Sequence, residues 1–171
     1  MGPARDGRPQ SYRQERTMII MKRPKKHEYY LNIAKVVASR SSCLRAHYGA
    51  VIVNHDRIVS TGYNGNPRGM DNCIDLFRCS KEAPDHNSSP ESYNVCKSVH
   101  AEMNAVIQAT PDELECSTLY LWGEILDNDT WHTVPATPCP ICLRMLINAG
   151  VCDIVNIDGR MPAIEVIGCQ Y

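Results

Sequence analysis

The 171-residue sequence has no hydrophobic run near the roughly 18–20 residues that cross a bilayer, and no hydrophobic secretory segment near its start. Its apolar stretches are short and are interrupted by Asn, Asp, Arg or Gly. These absences argue against a helical membrane protein and predict a soluble, cytoplasmic one. Apolar residues make up 43% of the chain and charged residues 22%, which predicts a single folded domain rather than extended disorder.

Most of the chain also lacks an excess of positive charge. The net charge is −1, but residues 1–26 hold eight Lys or Arg and two acids, so that ten basic and seventeen acidic residues remain for the rest. A duplex-binding domain normally carries a basic footprint on its folded part, so a polynucleotide partner is not expected. We predict a disordered basic leader over residues 1–25 and a folded domain over residues 26–171.

Cysteine, by contrast, is abundant. The chain contains nine, an odd number, and without a secretory segment this count favours metal ligation or catalysis over a disulfide framework. Free thiols buried in the core are the alternative, because cysteine is a common core residue.

Hydrophobic periodicity predicts helices and strands that alternate after an opening hairpin, and therefore a mixed sheet covered by helices. The predicted helices are residues 27–40, 99–109 and 141–148. The predicted strands are residues 50–53, 58–63, 117–122, 152–157 and 164–167. Two long loops are predicted, over residues 64–97 and 123–137.

Two short motifs carry residues suited to metal chemistry. His100 and Glu102 open one predicted helix, and Cys139 and Cys142 open another. Residues three apart on a helix face the same way, and a helix N-terminus favours the thiolate that zinc binds. One imidazole and two thiolates leave the fourth tetrahedral position for water, as in catalytic zinc sites, and Glu102 is close enough to move that water's proton. The alternative is a core histidine, a solvated glutamate and structural thiols.

The order H-x-E followed by P-C-x-x-C is the signature of zinc-dependent nucleobase deaminases, and the chain resembles the deoxycytidylate (dCMP) deaminase family within that class. The resemblance extends over residues 28–157. It is carried by residues 62–69 (GYNGNPRG), 100–105 (HAEMNA) and 138–142 (PCPIC), with support from 40–45 (RSSCLR), 49–51 (GAV) and 146–150 (LINAG).

The resemblance implies an α/β fold, namely a cytidine-deaminase-like three-layer α/β/α sandwich with a five-stranded mixed sheet, assembled as a homohexamer. It implies a hydrolase that acts on a cyclic amidine C–N bond and converts dCMP to dUMP and ammonia, which supplies the dTMP precursor. The metal ligands would be His100, Cys139 and Cys142 around Zn²⁺, with Glu102 as the catalytic residue. Other readings are a deaminase of dCTP or modified dCMP, a polynucleotide deaminase of the tRNA-adenosine type, and a zinc-stapled binding module.

Five residues are candidates for substrate binding. Asn64 matches the family residue that contacts the sugar, although Asn-Gly is equally typical of a turn. The backbone N–H of Ala101, at a helix start, is a candidate donor to the pyrimidine carbonyl. A phosphate needs donors, and the candidates near the end of the first helix are Ser41, Ser42 and Arg45, with surface solvation as the alternative.

The sequence departs from the family pattern in two places. About a dozen extra residues, including Trp131 and His132, separate the strand before Gly123 from the P-C-x-x-C helix, and they are placed to reshape the pocket. Pro111 ends the second helix early, in the segment where relatives bind the dCTP activator, which argues against dCTP regulation.

The resemblance also implies a second, structural zinc that would order the 64–97 loop. Cys43 and Cys73 match its usual ligand positions, whereas the remaining ligands are less defined. The candidates for those are Cys79 and Cys96, with His86 as a substitute. Unligated thiols in a flexible lid are the alternative.

Overall fold

The structure, a computed structural model, describes residues 23–82 and 95–168. The predicted leader up to residue 22 and the candidate ligand His86 lie outside these ranges. The helices are α1 (Lys26–Ala38), α2 (Cys73–Leu76), α3 (Ala101–Ile107), α4 (Pro111–Leu114), α5 (Pro140–Asn148) and α6 (Ala163–Gly168). The strands are β1 (Ala46–Asn54), β2 (Arg57–Tyr63), β3 (Ser117–Asp127), β4 (Thr130–Val134), β5 (Val151–Asn156) and β6 (Gly159–Pro162).

The strands form one mixed sheet in the order β2-β1-β3-β5-β6, with β4 paired to the end of β3. β3 and β5 run parallel, and every other neighbouring pair is antiparallel. Helix α1 covers one face, where Ala34 packs against Val51 and Tyr120. Helices α3, α5 and α6 cover the other face, where Ala105 and Leu143 join the core. The predicted α/β/α sandwich is therefore confirmed, with six strands in the described part of the chain.

Close approach of helix to sheet depends on two glycines. A Cβ built on Gly62 would lie 2.2 Å from the carbonyl oxygen of Ala101 in α3. A Cβ on Gly49 would lie 2.0 Å from the carbonyl oxygen of Ala34 in α1. The two glycines thus allow the backbones of α1 and α3 to contact the sheet directly. Gly62 sets the distance between the sheet and α3.

The predicted 123–137 loop is wrong over most of its length. β3 continues to Asp127, and Asn128 and Asp129 form a two-residue turn with φ of 47° and 59°, after which β4 pairs back. Positive φ at both central positions defines the turn type that matches strand twist, and Asn and Asp tolerate it. The insertion is therefore a β-hairpin.

The predicted strand at 164–167 is also wrong, because this segment is helix α6. Ala163 and Val166, three residues apart, are both buried, which is helical spacing rather than strand alternation. Helix α3 ends at Ile107, two residues short of the prediction, and Pro111 opens α4 as its first residue. No helix in the described ranges has the length and apolar character needed to cross a membrane.

Candidate metal centre and its pocket

Three predicted ligands meet at one point in the fold. His100 is the N-cap of α3, Cys139 is the N-cap of α5, and Cys142 lies in the first turn of α5. The Nδ1 atom of His100 lies 3.6 Å from the Sγ atom of Cys139 and 3.4 Å from that of Cys142. Among the described residues, this is the one group of three or more His, Cys, Asp or Glu with all its donor atoms within 4.8 Å of one another.

The spacing of these donors fits a zinc ion. Zn–S and Zn–N bonds of about 2.3 and 2.0–2.1 Å at a tetrahedral angle place nitrogen and sulfur about 3.6 Å apart. The observed 3.4 and 3.6 Å separations match that edge. Two of the three donor residues, His100 and Cys139, also line the cavity described below.

The three donors perturb one another's protonation. Hydrogen bonding to Cys142, together with that to His100, lowers the pKa of Cys139 to about 3. The Cys142 N–H also points at the Cys139 sulfur, at 3.5 Å, as expected for a thiolate that caps a helix. The hydrogen bond to Cys139 raises the pKa of both Cys142 and His100. The cluster thus holds a thiolate, which is the form that binds metal.

Glu102 lies in the first turn of α3, two residues beyond His100, and is only 5% exposed. Burial raises the pKa of its carboxyl group. A raised pKa lies closer to neutral pH, where the carboxyl group can both accept and release a proton. The position fits the predicted proton-transfer role.

A cavity of about 520 Å³ opens in front of this cluster. Glu102 and Ala101 line its floor, and Ile125 and Leu126 of the β3–β4 hairpin line one wall. The hairpin is anchored there because the N–H of Leu126 donates to the carbonyl oxygen of Arg45 at 2.8 Å. In addition, Trp131 stacks on His47 with ring centroids 3.9 Å apart.

Asn64 lines the cavity, but its side chain also binds the backbone of β1. Its Oδ1 accepts from the Tyr48 N–H at 2.8 Å, and its Nδ2 donates to the Ala46 carbonyl at 2.9 Å. The residue therefore anchors the segment after β2 to β1, in line with the turn interpretation. Its place in the cavity wall remains compatible with a sugar contact.

The three candidates for phosphate binding occupy different environments in the structure. Arg45 lines the cavity. The Ser41 hydroxyl donates to the Asn64 carbonyl at 3.0 Å, and the Ser42 hydroxyl donates to Oδ1 of Asn72 at 2.7 Å. Neither serine is among the described residues that line the cavity, so the structure brings only the arginine of the three to it.

Four polar residues of the cavity were not predicted from the sequence, namely Tyr48, Lys81, Ser98 and Thr137. Lys81 belongs to a short 3₁₀ helix, Ser80–Glu82, inside the region predicted as loop. The positive charge of Lys81 acts on the metal cluster, because it partly opposes the rise in the pKa of His100. No local pattern around Lys81 indicates this position. For the hairpin wall, the available signal is the pair Asn128-Asp129, since both residue types tolerate the positive φ of a tight turn.

The four further cysteines, Cys43, Cys73, Cys79 and Cys96, line the same cavity. Burial raises the pKa of the Cys73 thiol, and its three neighbouring thiols raise it further. Their sulfur atoms do not form a group within 4.8 Å of one another in the described ranges. The structure thus gathers the thiols around one cavity, at separations wider than a ligand set requires.

Comparison with known proteins places the chain among deaminases. Residues 24–157 match the family model of the cytidine and deoxycytidylate deaminase zinc-binding region. The deoxycytidylate deaminase of Mycobacterium phage D29 is 34% identical over 136 residues, which cover 79% of this chain and 96% of the phage protein. A probable deoxycytidylate deaminase of Caenorhabditis elegans is 39% identical over 80% of this chain and 59% of its own length.

The deoxycytidylate deaminase of Saccharomyces cerevisiae is 31% identical over 82% of this chain, and the match covers 40% of the yeast protein. The chain thus spans about half the length of these yeast and worm relatives. The crystal structure of a dCMP deaminase from cyanophage S-TIM5, in complex with dCMP and dUMP, matches with a TM-score of 0.55 and 24% identity. That match covers 86% of this chain and 93% of the phage chain, and it supports the fold.

Proposed function

We propose that this chain, which belongs to the cytidine and deoxycytidylate deaminase family, hydrolyses dCMP to dUMP and ammonia. One observation carries the proposal: His100, Cys139 and Cys142 lie at tetrahedral spacing beside a buried carboxylate, that of Glu102. A closed structural zinc site has four protein ligands and no use for such a carboxylate. The names of the phage, worm and yeast relatives favour dCMP as the substrate.

Zinc, when bound by these three residues, supplies a water that is activated near neutral pH. Glu102 would accept one proton from this water and deliver it to N3 of the pyrimidine as the water oxygen bonds to C4. It would then carry the second proton of that oxygen to the C4 amine, so that the C4–N bond breaks, ammonia departs and the oxygen remains as the uracil carbonyl. Burial of Glu102 suits this two-way role, because it raises the carboxyl pKa towards the working pH.

Substrate binding follows from the cavity wall. We assign the backbone N–H of Ala101 to the pyrimidine carbonyl and Asn64 to the sugar, which is supported by the presence of both residues in the cavity lining. Arg45 and Lys81 provide two positive charges on the lining, which favour a phosphate monoester over an uncharged nucleoside. The expected result for Lys81→Gln is a raised KM for dCMP with an unchanged rate on deoxycytidine. Lys35→Gln, which changes an exposed lysine of α1 on the opposite face of the sheet, is the matched control.

Ammonia release tests the proposal. The zinc-loaded chain is offered dCMP, dCTP, deoxycytidine and a tRNA anticodon stem, with Glu102→Gln as the inactive control. Preferential turnover of dCMP is the expected result. Turnover of the RNA stem would establish a polynucleotide deaminase, turnover of dCTP alone a different nucleotide deaminase, and no turnover at all a binding module.

We also propose a second zinc among Cys43, Cys73, Cys79 and Cys96, with His86 as a substitute ligand. The gathering of four thiols on one cavity supports it, since metal binding would draw them closer and order the 64–97 segment. Metal analysis should find roughly two zinc ions per chain and one in Cys73→Ser. One zinc per fully loaded wild-type chain would contradict this proposal.

Finally, we propose a homo-oligomer, a hexamer in line with the family resemblance, that acts in the cytoplasm. Large apolar side chains on the surface support association, among them Phe77 at 88% and Ile107 at 73% exposure. Sedimentation of the zinc-loaded protein should show a hexamer, whereas a stable monomer at all concentrations would contradict the assembly.

A further inference from the structure

Two exposed cysteines meet at the end of the sheet opposite the metal centre. Cys116 immediately precedes β3, and Cys152 is the second residue of β5, the parallel neighbour of β3. Ser117 pairs with Val151, so the two cysteines flank one register position of adjacent strands. Both thiols are free and exposed.

The carbonyl oxygen of Gly150 joins the two residues. It accepts from the Cys116 N–H at 2.9 Å and from the Cys152 thiol at 3.7 Å. Cys116 and Cys152 are therefore diagonal neighbours on adjacent parallel strands, joined through one acceptor. Hydrogen bonding to Cys116 raises the pKa of the Cys152 thiol, as expected for two sulfurs in mutual contact.

We propose that Cys116 and Cys152 form a redox-active dithiol, a modification site that hydroperoxides convert to an intramolecular disulfide. Cys116 is the first nucleophile, because the hydrogen bonds of the Cys152 thiol to the Gly150 carbonyl oxygen and to Cys116 favour its protonated form. Cys116 also lines an open cleft of about 780 Å³ together with Arg57, so that a small oxidant can reach it.

The chemistry proceeds in two steps. The Cys116 thiolate attacks one oxygen of hydrogen peroxide, the O–O bond breaks, and the released hydroxide leaves as water, which yields a sulfenic acid. The Cys152 sulfur, on losing its proton, attacks the Cys116 sulfur and displaces the hydroxyl group as a second water. The two thiols lose two electrons, and the peroxide gains them.

The disulfide would act as a clamp on the fold and leave the metal centre untouched. It encloses residues 117–151, which comprise β3, β4 and the whole of α5. Helix α5 separates the clamp from Cys139, because its nine residues rise about 14 Å. We therefore expect oxidation to raise the unfolding temperature by about 4 °C or more. The kcat and KM of the zinc-loaded protein should stay the same.

Mass spectrometry identifies the bond. Zinc-loaded protein is treated with stoichiometric hydrogen peroxide, blocked with iodoacetamide and cut with trypsin and a glutamyl endopeptidase. These proteases release Cys116 in peptide 116–124 and Cys152 in peptide 145–160, each with no other cysteine. A cross-link between these two peptides, reversed by dithiothreitol, is expected. Separate alkylation of both cysteines after peroxide treatment would overturn the proposal.

Single variants test the order of the steps and the clamp. Cys152→Ser should trap the sulfenic acid on Cys116, which dimedone labels, and should abolish the peroxide-dependent rise in unfolding temperature. Cys116→Ser should leave Cys152 unlabelled. Labelling of Cys152 in that variant would overturn the order of attack, and a cross-link without a rise in unfolding temperature would overturn the clamp.

Discussion

The distance between α3 and the sheet is set by Gly62, which makes Gly62→Ala a sharp perturbation of the metal centre. The added Cβ would lie 2.2 Å from the Ala101 carbonyl oxygen and 2.4 Å from the Ala105 nitrogen, where ordinary contact begins at 3.4 Å. Because these atoms are backbone, the helix must move outward by about 1.2 Å (3.4 − 2.2 Å). The φ of Gly62 lies outside the left-handed region, so the effect is steric alone.

Two magnitudes follow from this movement. Overpacking of this kind costs about 1–3 kcal/mol, which lowers the unfolding temperature by about 2–12 °C in a domain of this size. The same movement displaces His100 and Glu102 from Cys139. A misplacement of about 1 Å in an active site costs about 10²-fold in rate. We expect kcat/KM for dCMP to fall by about that factor, together with zinc affinity.

Gly49→Ala is the matched control. Its Cβ would lie 2.0 Å from the Ala34 carbonyl oxygen, so it produces a similar overlap with α1, on the opposite face of the sheet. We expect a comparable loss of thermal stability, measured by scanning calorimetry, with kcat/KM within a few-fold of wild type. Equal losses of kcat/KM in the two variants, or an unchanged kcat/KM in Gly62→Ala, would refute the reasoning.

Three further predictions concern the buried carboxylate of Glu102, the hairpin and a surface ion pair. Glu102→Gln should fold and retain zinc but lose turnover by several orders of magnitude, because an amide cannot shuttle protons; substantial residual ammonia release would contradict its role. Removal of residues 124–134 should change the KM or the substrate preference more than the unfolding temperature, and a large fall in unfolding temperature with unchanged KM and substrate preference would instead mark the hairpin as structural. Hydrogen bonds from Lys26 and Tyr30 hold the pKa of Asp56 below its usual value. The stability that Asp56 contributes over Asp56→Asn should therefore be present above about pH 4 and disappear as the pH falls through the lowered pKa. Urea unfolding at several pH values measures this difference, and a difference that grows on acidification would contradict it.

The two halves of the cluster formed by His100, Cys139 and Cys142 could be predicted from the sequence because each half is local, whereas the halves lie 39 and 42 residues apart along the chain. Cys139 and Cys142 share one helical turn, and His100 and Glu102 share another, so the spacing along the chain already determines which way the side chains point. The sandwich can be predicted from hydrophobic periodicity as well. Successive residues of the core strands pack alternately into the two hydrophobic clusters, one on each face of the sheet.

The parts that could not be predicted depend on contacts between distant residues. The Ser41 hydroxyl is engaged by the carbonyl of Asn64, and the Ser42 hydroxyl by Asn72 thirty positions later. No local pattern indicates that these hydroxyls are bound to the protein. The hairpin was missed because its turn, Asn128-Asp129, has no glycine, although both residues adopt positive φ readily.

The hydrogen bonds of Asn64 have a consequence for how this position can vary. An amide side chain offers two N–H donors and two oxygen lone pairs, and the bonds to Tyr48 and Ala46 use one of each. One donor and one lone pair remain, in a side chain that borders the cavity. Aspartate would lose the donor to Ala46, and a smaller residue would lose both anchors. The residue therefore has just enough hydrogen-bonding valence to hold β1 in place and to bind a ligand hydroxyl simultaneously, which neither aspartate nor a smaller residue supplies.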